Sequence, residues 1–495
     1  MSENAKASSV NRAKLYQLVL FPLNNGATNV YYVLVLSYIA TFGSNVLALG
    51  TLFASVMVTA MRLCDAITDP IIGALMDRTN GKFGKFRPFM AIGNLIMAVS
   101  ILVLYGITPM IPDTMMWARY AAFVGLYFVW VIGYTFQTSC TRSGQTVLTN
   151  DPKQRPLFTQ FDSTYNTILF TGMNLLVSSV LIKIFGSFAN IHVFNWLVGM
   201  VVIASAVCTI LAVIGVSPKD RIEYFGTGKA TKVKFSEYLD VIKHNRAIQM
   251  LIVAASSDKL SMNIANNSVL ATVLFGIIIG DYSLNGIMSL ITLIPTLILT
   301  LIFVNFSKKT GMKKAVVVSS VANIFVFLIF GCFIVFTDVT QISLTNFTLV
   351  PMLFTLTYIV LYVVRSAISN VSGNLVIPMI SDCADYETYR TGRYVPGMMG
   401  TLFSFVDKLI SSLSTSIVAL YLAAIGYATT MPQPGDAVTT TLKVFWFIMA
   451  IGFPVFGLVC NLISMKFYPL DKAKMEEIEE TIAEIKAKNA AEDAQ

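Results

Sequence analysis

The sequence predicts an all-α integral membrane protein with twelve transmembrane helices in two six-helix halves. Three observations predict it. First, 55% of the 495 residues are hydrophobic and only 13% are charged, whereas soluble domains carry about 25% charged residues; mean hydropathy is +0.70. Second, twelve apolar segments come close to or exceed the ~20 residues a helix needs to cross the hydrocarbon layer. Their cores are 16–40, 46–75, 89–107, 117–147, 160–185, 194–216, 247–279, 285–304, 314–336, 348–380, 397–425 and 442–465. The strict alternation of a membrane barrel is absent, so the segments are helices. Third, basic residues gather in every second connection. Arg78, Lys82, Lys85 and Arg87 follow the second segment, Lys153 and Arg155 the fourth, and Lys219, Arg221, Lys229, Lys232, Lys234 and Lys243 the sixth. Lys308, Lys309, Lys313 and Lys314 follow the eighth, and Arg390 and Arg393 the tenth. Connections between them, such as GDYSLNG, have almost none. The positive-inside rule then places the even-numbered connections and both termini in the cytoplasm, and the net charge of +8 needs no nucleic acid to explain it. The chain divides into a first half at 1–216, a central cytoplasmic loop at 217–246, a second half at 247–466 and a cytoplasmic tail at 467–495.

The first segment contains FPLNNGATNVYYV. Asn24, Asn25 and Asn29, around Gly26, either join helices through amides and small residues or hydrogen-bond a polyhydroxylated solute. The second segment holds the stretch around which the chain is organised, RLCDAITDP. A carboxylate near the bilayer centre costs roughly 2.5–3.5 kcal/mol on insertion scales. Arg62, Asp65 and Asp69 are three and four residues apart, so they share one helix face and point inward. Two carboxylates about 6 Å apart repel by roughly 3 kcal/mol at an effective dielectric near 20. Either one of them holds a proton, or a cation sits between them, or Arg62 neutralises them as a purely structural pair.

The second segment ends in GALMDRTNGKFGKFRP. Gly73, Asp77, Arg78, Gly81 and Lys82 match GxxxDRxxGR/K, the cytoplasmic signature of the major facilitator superfamily. The longer block DAITDPIIGALMDRTNGKFGKFRPF resembles the glycoside–pentoside–hexuronide:cation symporter family, the melibiose-carrier group. Tyr134 and Thr135 in the fourth segment, KVKFSEYLDVIKHNRAI before the seventh, SDCADYETYRTGR after the tenth and FSFVDKLISS in the eleventh agree, so the resemblance covers essentially the whole chain. It implies a major facilitator fold and a cation site at Asp65 and Asp69, with Thr135 a further ligand. Thr68 stands where melibiose-type carriers commonly have Asn, which leaves Na+ and H+ both open as the coupling ion. It also implies that Asp77 and Arg78 take part in gating the cytoplasmic face.

Departures from the pattern matter as much. The Lys-Asp pair of the first helix is replaced by Asn24 and Asn25, a fourth-helix aspartate by Thr138, and the sugar-stacking aromatic by Arg142. An arginine of the fifth helix aligns near Ser163, beside Asp162. The carboxylates that grip a neutral galactoside are therefore missing. Arg142 offers a planar fork for a carboxylate, sulfonate or phosphate, which points to an anionic sugar such as a uronide; the alternative is an ion pair with Asp162 or another buried acid.

In the second half, SSDKLSMNIANN carries Asp258 and Lys259, which are adjacent and so do not share a helix face, and Asn263, Asn266 and Asn267, which continue a polar stripe; this stretch is expected to line an aqueous cavity. NFSKKTGMKK occupies the place in this half that DRTNGKFGK has in the first, the weak repeat of a two-half transporter. The tenth segment holds Arg365, Asn370 and Asn374 and ends in Asp382, Asp385 and Tyr386, read either as a gate of ion pairs or as solvated charge. Asp407 and Lys408 lie in the eleventh. The family places a lysine there near the cation site, so Lys408 competes for Asp65 or Asp69 or pairs locally. The tail is expected to form an amphipathic helix with Ile478, Ile482 and Ile485 on one face, and it stops short of the phosphotransferase regulatory domain that some members append.

Cys64, Cys140, Cys208, Cys332, Cys383 and Cys460 fall in or beside apolar segments, so no disulfide framework is expected. The polar N-terminus lacks a signal-peptide cleavage pattern. Only two histidines, His192 and His244, are present, neither near the acids in sequence, and neither a metal cluster nor a nucleophile with a base is evident. The reading is therefore not an enzyme but a secondary active transporter, taking up a sugar or glycoside by Na+ or H+ symport with alternating access. Its substrate contacts are drawn from Asn24, Asn25, Arg142, Asp162, Asn263, Asn266, Arg365 and Lys408, and its gate from Asp77, Arg78, Asp382 and Asp385. It has no cofactor beyond the coupling ion and no obligate protein partner, and it sits in a bacterial plasma membrane. The alternative is a carrier of the same fold for a lipid-like or other organic solute.

Overall fold

A computed structural model describes residues 12–481 except 80, 82, 150–153, 222–242, 345–347, 392–395 and 479. Within helices, the side chains at 70, 74, 77–78, 142–143, 145–146, 155–156, 159, 304, 308, 370, 372–374, 376–378, 381, 396–405 and 407 are also outside the described residues. The expectations placed on the side chains of Asp77, Arg78, Arg142, Asn370, Asn374 and Asp407, and on Arg393, therefore lie outside the described residues.

The chain forms two compact units, Met1–Ala230 with Gly426–Met431, and Thr231–Ile425 with Pro432–Gln495. In the first, α1 (Leu15–Leu20), α2 (Leu23–Tyr32) and α3 (Ile39–Asn45) make one stretch, with a π-helical turn at Val33–Tyr38. Then come α4 (Thr51–Arg78), α5 (Phe86–Gly106), α6 (Met116–Leu148), α7 (Arg155–Leu175) continued by α8 (Ile182–Phe185), and α9 (Ile191–Val216). The second unit has α10 (Arg246–Ala265) and α11 (Ser268–Ala271) running into a π-helical turn at Thr272–Ile279, then α12 (Ser283–Thr310), α13 (Met312–Phe336), α14 (Leu349–Thr391), α15 (Pro396–Ala424), and α16 (Thr440–Phe447) followed by α17 (Phe453–Phe467).

These are twelve helical stretches among the described residues, six in each half. Nine are long and apolar enough to cross a membrane, and α10 with α11 and its π turn, bent by 42°, makes a tenth. The first stretch falls short because it is broken into short pieces. In α15 only Lys408–Ala424 counts among the described residues.

The halves repeat one packing scheme. In the first, the opening helix α2 packs on α6, α7 and α9, α4 packs on α6, and α5 on α6 and α9. In the second, α10 packs on α14, α15 and α17, α12 on α14, and α13 on α14 and α17. The sequence repeat is faint; the repeat of contacts is complete for these six pairs.

Lipid tails are as apolar as leucine, so helices here associate through close packing and polar contacts. Gly93 and Gly133 show the first: a Cβ on either would lie 2.8 Å from the other's carbonyl oxygen, so α5 and α6 meet backbone to backbone. At one end of the first half the chain after α9 is pinned. Asp220, buried, accepts from the backbone N–H groups of Lys85 (2.7 Å), Phe86 (3.0 Å) and Arg87 (2.9 Å), and Arg87 Nε lies 3.3 Å away. A carboxylate at the start of α5 satisfies orphan donors and complements the helix dipole. Lys219 Nζ donates to Arg12 O (2.6 Å) and to Leu148 O at the end of α6 (2.8 Å), and burial holds its ammonium below the usual lysine range.

Candidate functional site

The lipid-facing side of α4 explains the direction of its charges. Leu63, Ile67 and Ile71 are exposed, while Asp65 is 3% exposed and Arg62 and Asp69 are half-buried. The polar stripe thus faces the bundle. Asp65 Oδ1 accepts from Thr135 Oγ1 of α6 at 3.0 Å, the Thr135 and Thr68 hydroxyls are 3.0 Å apart, and Thr68 Oγ1 lies 3.1 Å from Asp65 O. Thr135 Oγ1 also lies 2.9 Å from Val131 O. Two hydroxyl hydrogens thus serve four oxygen–oxygen contacts. The cluster brings a carboxylate, two hydroxyls and a backbone carbonyl together, oxygen ligands of the kind that can hold a proton or a small cation.

The ion pair of Arg62 with the aspartates is not formed. Its Cζ stands 5.0 Å from the centre of the Tyr32 ring, and no described carboxylate lies at ion-pair distance from it. Tyr32 stacks on Tyr134 (5.6 Å), and Tyr134 on Trp130 (5.2 Å). The rings occupy the guanidinium, a contact worth about 0.5–2 kcal/mol, and leave the aspartates other partners.

The first-helix amides are spent between helices. Asn24 is buried; its Nδ2 donates to Gln137 O (2.9 Å) and Thr141 Oγ1 (2.6 Å), and its Oδ1 accepts from Gln137 Nε2 (3.0 Å), which also reaches Thr209 (2.7 Å). Asn25 Nδ2 donates to Asp162 Oδ1 (2.8 Å), and one turn on, Asn29 Nδ2 donates to Asn166 Oδ1 (2.5 Å). Both pairs are 137 residues apart, as two parallel helices in register require. Gln137 and Asn166 were invisible as partners in the sequence. The only available hint for Asn166 was its four-residue spacing from Asp162, which matches that of Asn25 and Asn29.

In the second half the polar stripe of α10 falls at its break. Asn266 is exposed at the helix end, Asn263 is half-buried, and Asn267 Oδ1 caps the next segment by accepting from Val269 N at 3.0 Å. Arg365 of α14 is 8% exposed and stands 5.4, 5.1 and 5.1 Å from the ring centres of Phe327, Phe330 and Tyr362. Its Nε has no hydrogen-bond partner, and it makes no ion pair among the described residues. A buried guanidinium without an acid is costly, and the three rings offset only part of that cost.

Lys408 is half-buried, with its carbonyl accepting from Ser411 at 3.3 Å. Asp382 and Asp385 are half-buried too. Asp382 borders a polar cavity of about 320 Å³ with Gly311, Lys313, Asp471 and Lys472. At this end of α14 Arg390 pairs with the buried Glu387 (2.8 Å), which also accepts from Asn245 (2.8 Å). Ile478 of the tail is fully buried in the same half's core, with Met465 and Met379.

Two halves with one packing scheme, an inward-facing carboxylate cluster at membrane depth and a membrane helix broken at its polar stretch define a secondary transporter of the major facilitator type, not an enzyme. The chain belongs to the MFS/sugar transport protein family, whose model matches residues 21–472. It is 25% identical over 494 residues to the uncharacterised symporter YnaJ of Bacillus subtilis (strain 168), covering 96% of this chain and 95% of that one. It is 22% identical to the glucuronide carrier protein homolog of Escherichia coli (strain K12), over 93% and 94% of the two chains. Among solved structures, the nucleoside transporter NupG superposes with a TM-score of 0.61 at 13% identity, over 92% of this chain and 100% of that one. That likeness concerns the fold alone.

Proposed function

We propose that this protein takes up a sugar or glycoside across a bacterial plasma membrane together with a cation, Na+ or H+, held at Asp65, Asp69, Thr68 and Thr135. Both termini face the cytoplasm in this reading. The observation that carries it is the oxygen cluster of Asp65, Thr68 and Thr135 on the inward face of α4 and α6, with Arg62 standing against the Tyr32 ring. A bound cation removes the repulsion between the two aspartates and favours a conformation with an ordered solute site. Solute and ion then raise each other's affinity, as linkage requires, and the halves rock to expose the site alternately to each side.

Uptake into proteoliposomes, with Na+ and pH gradients imposed separately, tests it. Asp65→Asn or Asp69→Asn is expected to abolish gradient-driven uptake. Full coupling in both variants would refute the site.

A second reading concerns the solute. The unpaired Arg365 favours a sugar bearing a carboxylate, a uronide, over a neutral one, since planar guanidinium edges match carboxylates. It would act beside, or in place of, Arg142, to which the sequence reading gave this part. Competition between glucuronides and neutral glycosides, before and after Arg365→Gln, tests that choice; unchanged preference rules it out.

A further inference from the structure

The second half contains a carboxyl group that the proposed mechanism leaves unused. Asp258 of α10 is 5% exposed, and its Oδ1 has no hydrogen-bond partner. Among the described residues, no ion pair to it is found from the charged and titratable groups on its own and the neighbouring helices. Lys259 follows it and is exposed, Arg365 of α14 stands among its rings, and Lys408 of α15 is half-buried. On α17, Cys460 is half-buried and Lys466 is exposed.

A second orphan stands on the neighbouring helix. Asn461 of α17 is 2% exposed, and its Oδ1 also lacks a partner. The register places the two within about one helical turn of each other along the α10–α17 contact. A Cβ on Gly457 would run into Ser261 Oγ and lie 2.7 Å from Ser257 O, so α10 and α17 touch there. Farther along, Met465 shares a core cluster with Leu251 and Ala254. The Gly457 contact and the shared cluster fit antiparallel helices, with Asp258 and Asn461 falling between these two levels. Ser261, 3% exposed, adds a third oxygen one turn from Asp258.

As placed, both are acceptor oxygens, and a positive centre between them would serve both. One carboxylate with an amide and a hydroxyl oxygen balances one monovalent charge, the arrangement that a site at membrane depth requires. We propose that Asp258, Asn461 and Ser261 form a second position for a small monovalent cation, H+ or Na+, within the second half and independent of the Asp65 position. The protein then carries one cation position in each of its repeated halves.

Purified full-length protein in detergent tests this with two readouts. Equilibrium binding of radiolabelled Na+ reports sodium occupancy. The infrared C=O stretch of a protonated carboxyl reports a proton. Asp258→Asn is expected to remove either one bound Na+ per protein or one protonated-carboxyl band. Asp65→Asn/Asp69→Asn, which leaves Asp258 untouched, is expected to retain that same ion or band, so the test stands even if Asp258→Asn fails to fold. An Asp258→Asn protein with the Na+ stoichiometry and spectrum of the parent overturns the proposal, as does an Asp65→Asn/Asp69→Asn protein that has lost every bound cation. The latter outcome leaves the proposed function standing. The reverse pattern, with Na+ or proton lost only in Asp258→Asn, moves coupling away from Asp65 and keeps the second position.

Discussion

Replacing Thr135 by valine removes one oxygen and almost nothing else. Its methyl groups fill the same space, so packing changes little, but the hydroxyl disappears from a point 3.0 Å from Asp65 Oδ1 and 3.0 Å from Thr68 Oγ1. A hydrogen bond to a charged group contributes about 1.5–3 kcal/mol. If the hydroxyl ligates or orients the cation site, the loss corresponds to about 10–150-fold weaker cation binding. The assay is the cation concentration giving half-maximal uptake in proteoliposomes, at matched protein content and saturating solute. Thr135→Val is expected to raise it by at least about tenfold, while Thr135→Ser, which keeps the oxygen, leaves it near the parent value. An unchanged half-maximal concentration in Thr135→Val, or equal damage from serine, would refute the placement of the cation at this cluster.

Three further outcomes follow from other contacts. Asp220→Ala strips the start of α5 of its acceptor and is expected to cost about 2 kcal/mol, seen as a lower midpoint of thermal unfolding; Asp220→Asn falls between. Asn25→Leu leaves Asp162 without the donor now at 2.8 Å and is expected to destabilise by about 1–3 kcal/mol; an unshifted unfolding midpoint would show that this contact contributes nothing. In the tail, Glu477 is held below the ordinary carboxylate range by hydrogen bonds from Lys474 and Tyr389, in that order. Its contribution to tail docking is complete above the unfolded value near ~4.3 and is lost as pH falls through the lowered one. Amide exchange around Ile478 should therefore accelerate only in that acid window, and Glu477→Gln should flatten the change.

The legible part of this protein is what a single helix encodes. Arg62, Asp65 and Asp69 share a face by spacing alone, and the face turned inward because leaving it in lipid is costly. Thr135 entered only through the family resemblance, since nothing local marks a threonine on another helix as the neighbour of Asp65. The destination of Arg62 was not legible either. Whether a guanidinium goes to a carboxylate or to an aromatic face depends on where Tyr32 and Tyr134 stand, and that is set by packing between helices. The same limit hid Gln137, whose partner Asn24 is 113 residues away. Nothing in the sequence marks Asp220, between Lys219 and Arg221, as a helix cap; only its proximity to residues 85–87 makes it one. Arg365 reads as a candidate substrate contact in the sequence, but its ring environment and the lack of an acid beside it among the described residues are tertiary facts.

The fastening at Lys219 and Asp220 also governs how mechanical load enters the first half. Because these two adjacent residues grip the start of α5, the end of α6 and the strand of chain at Arg12, tension arriving along the following segment does not simply peel the last turn of α9. It would be shared among the several hydrogen bonds that these two residues make to α5, α6 and Arg12.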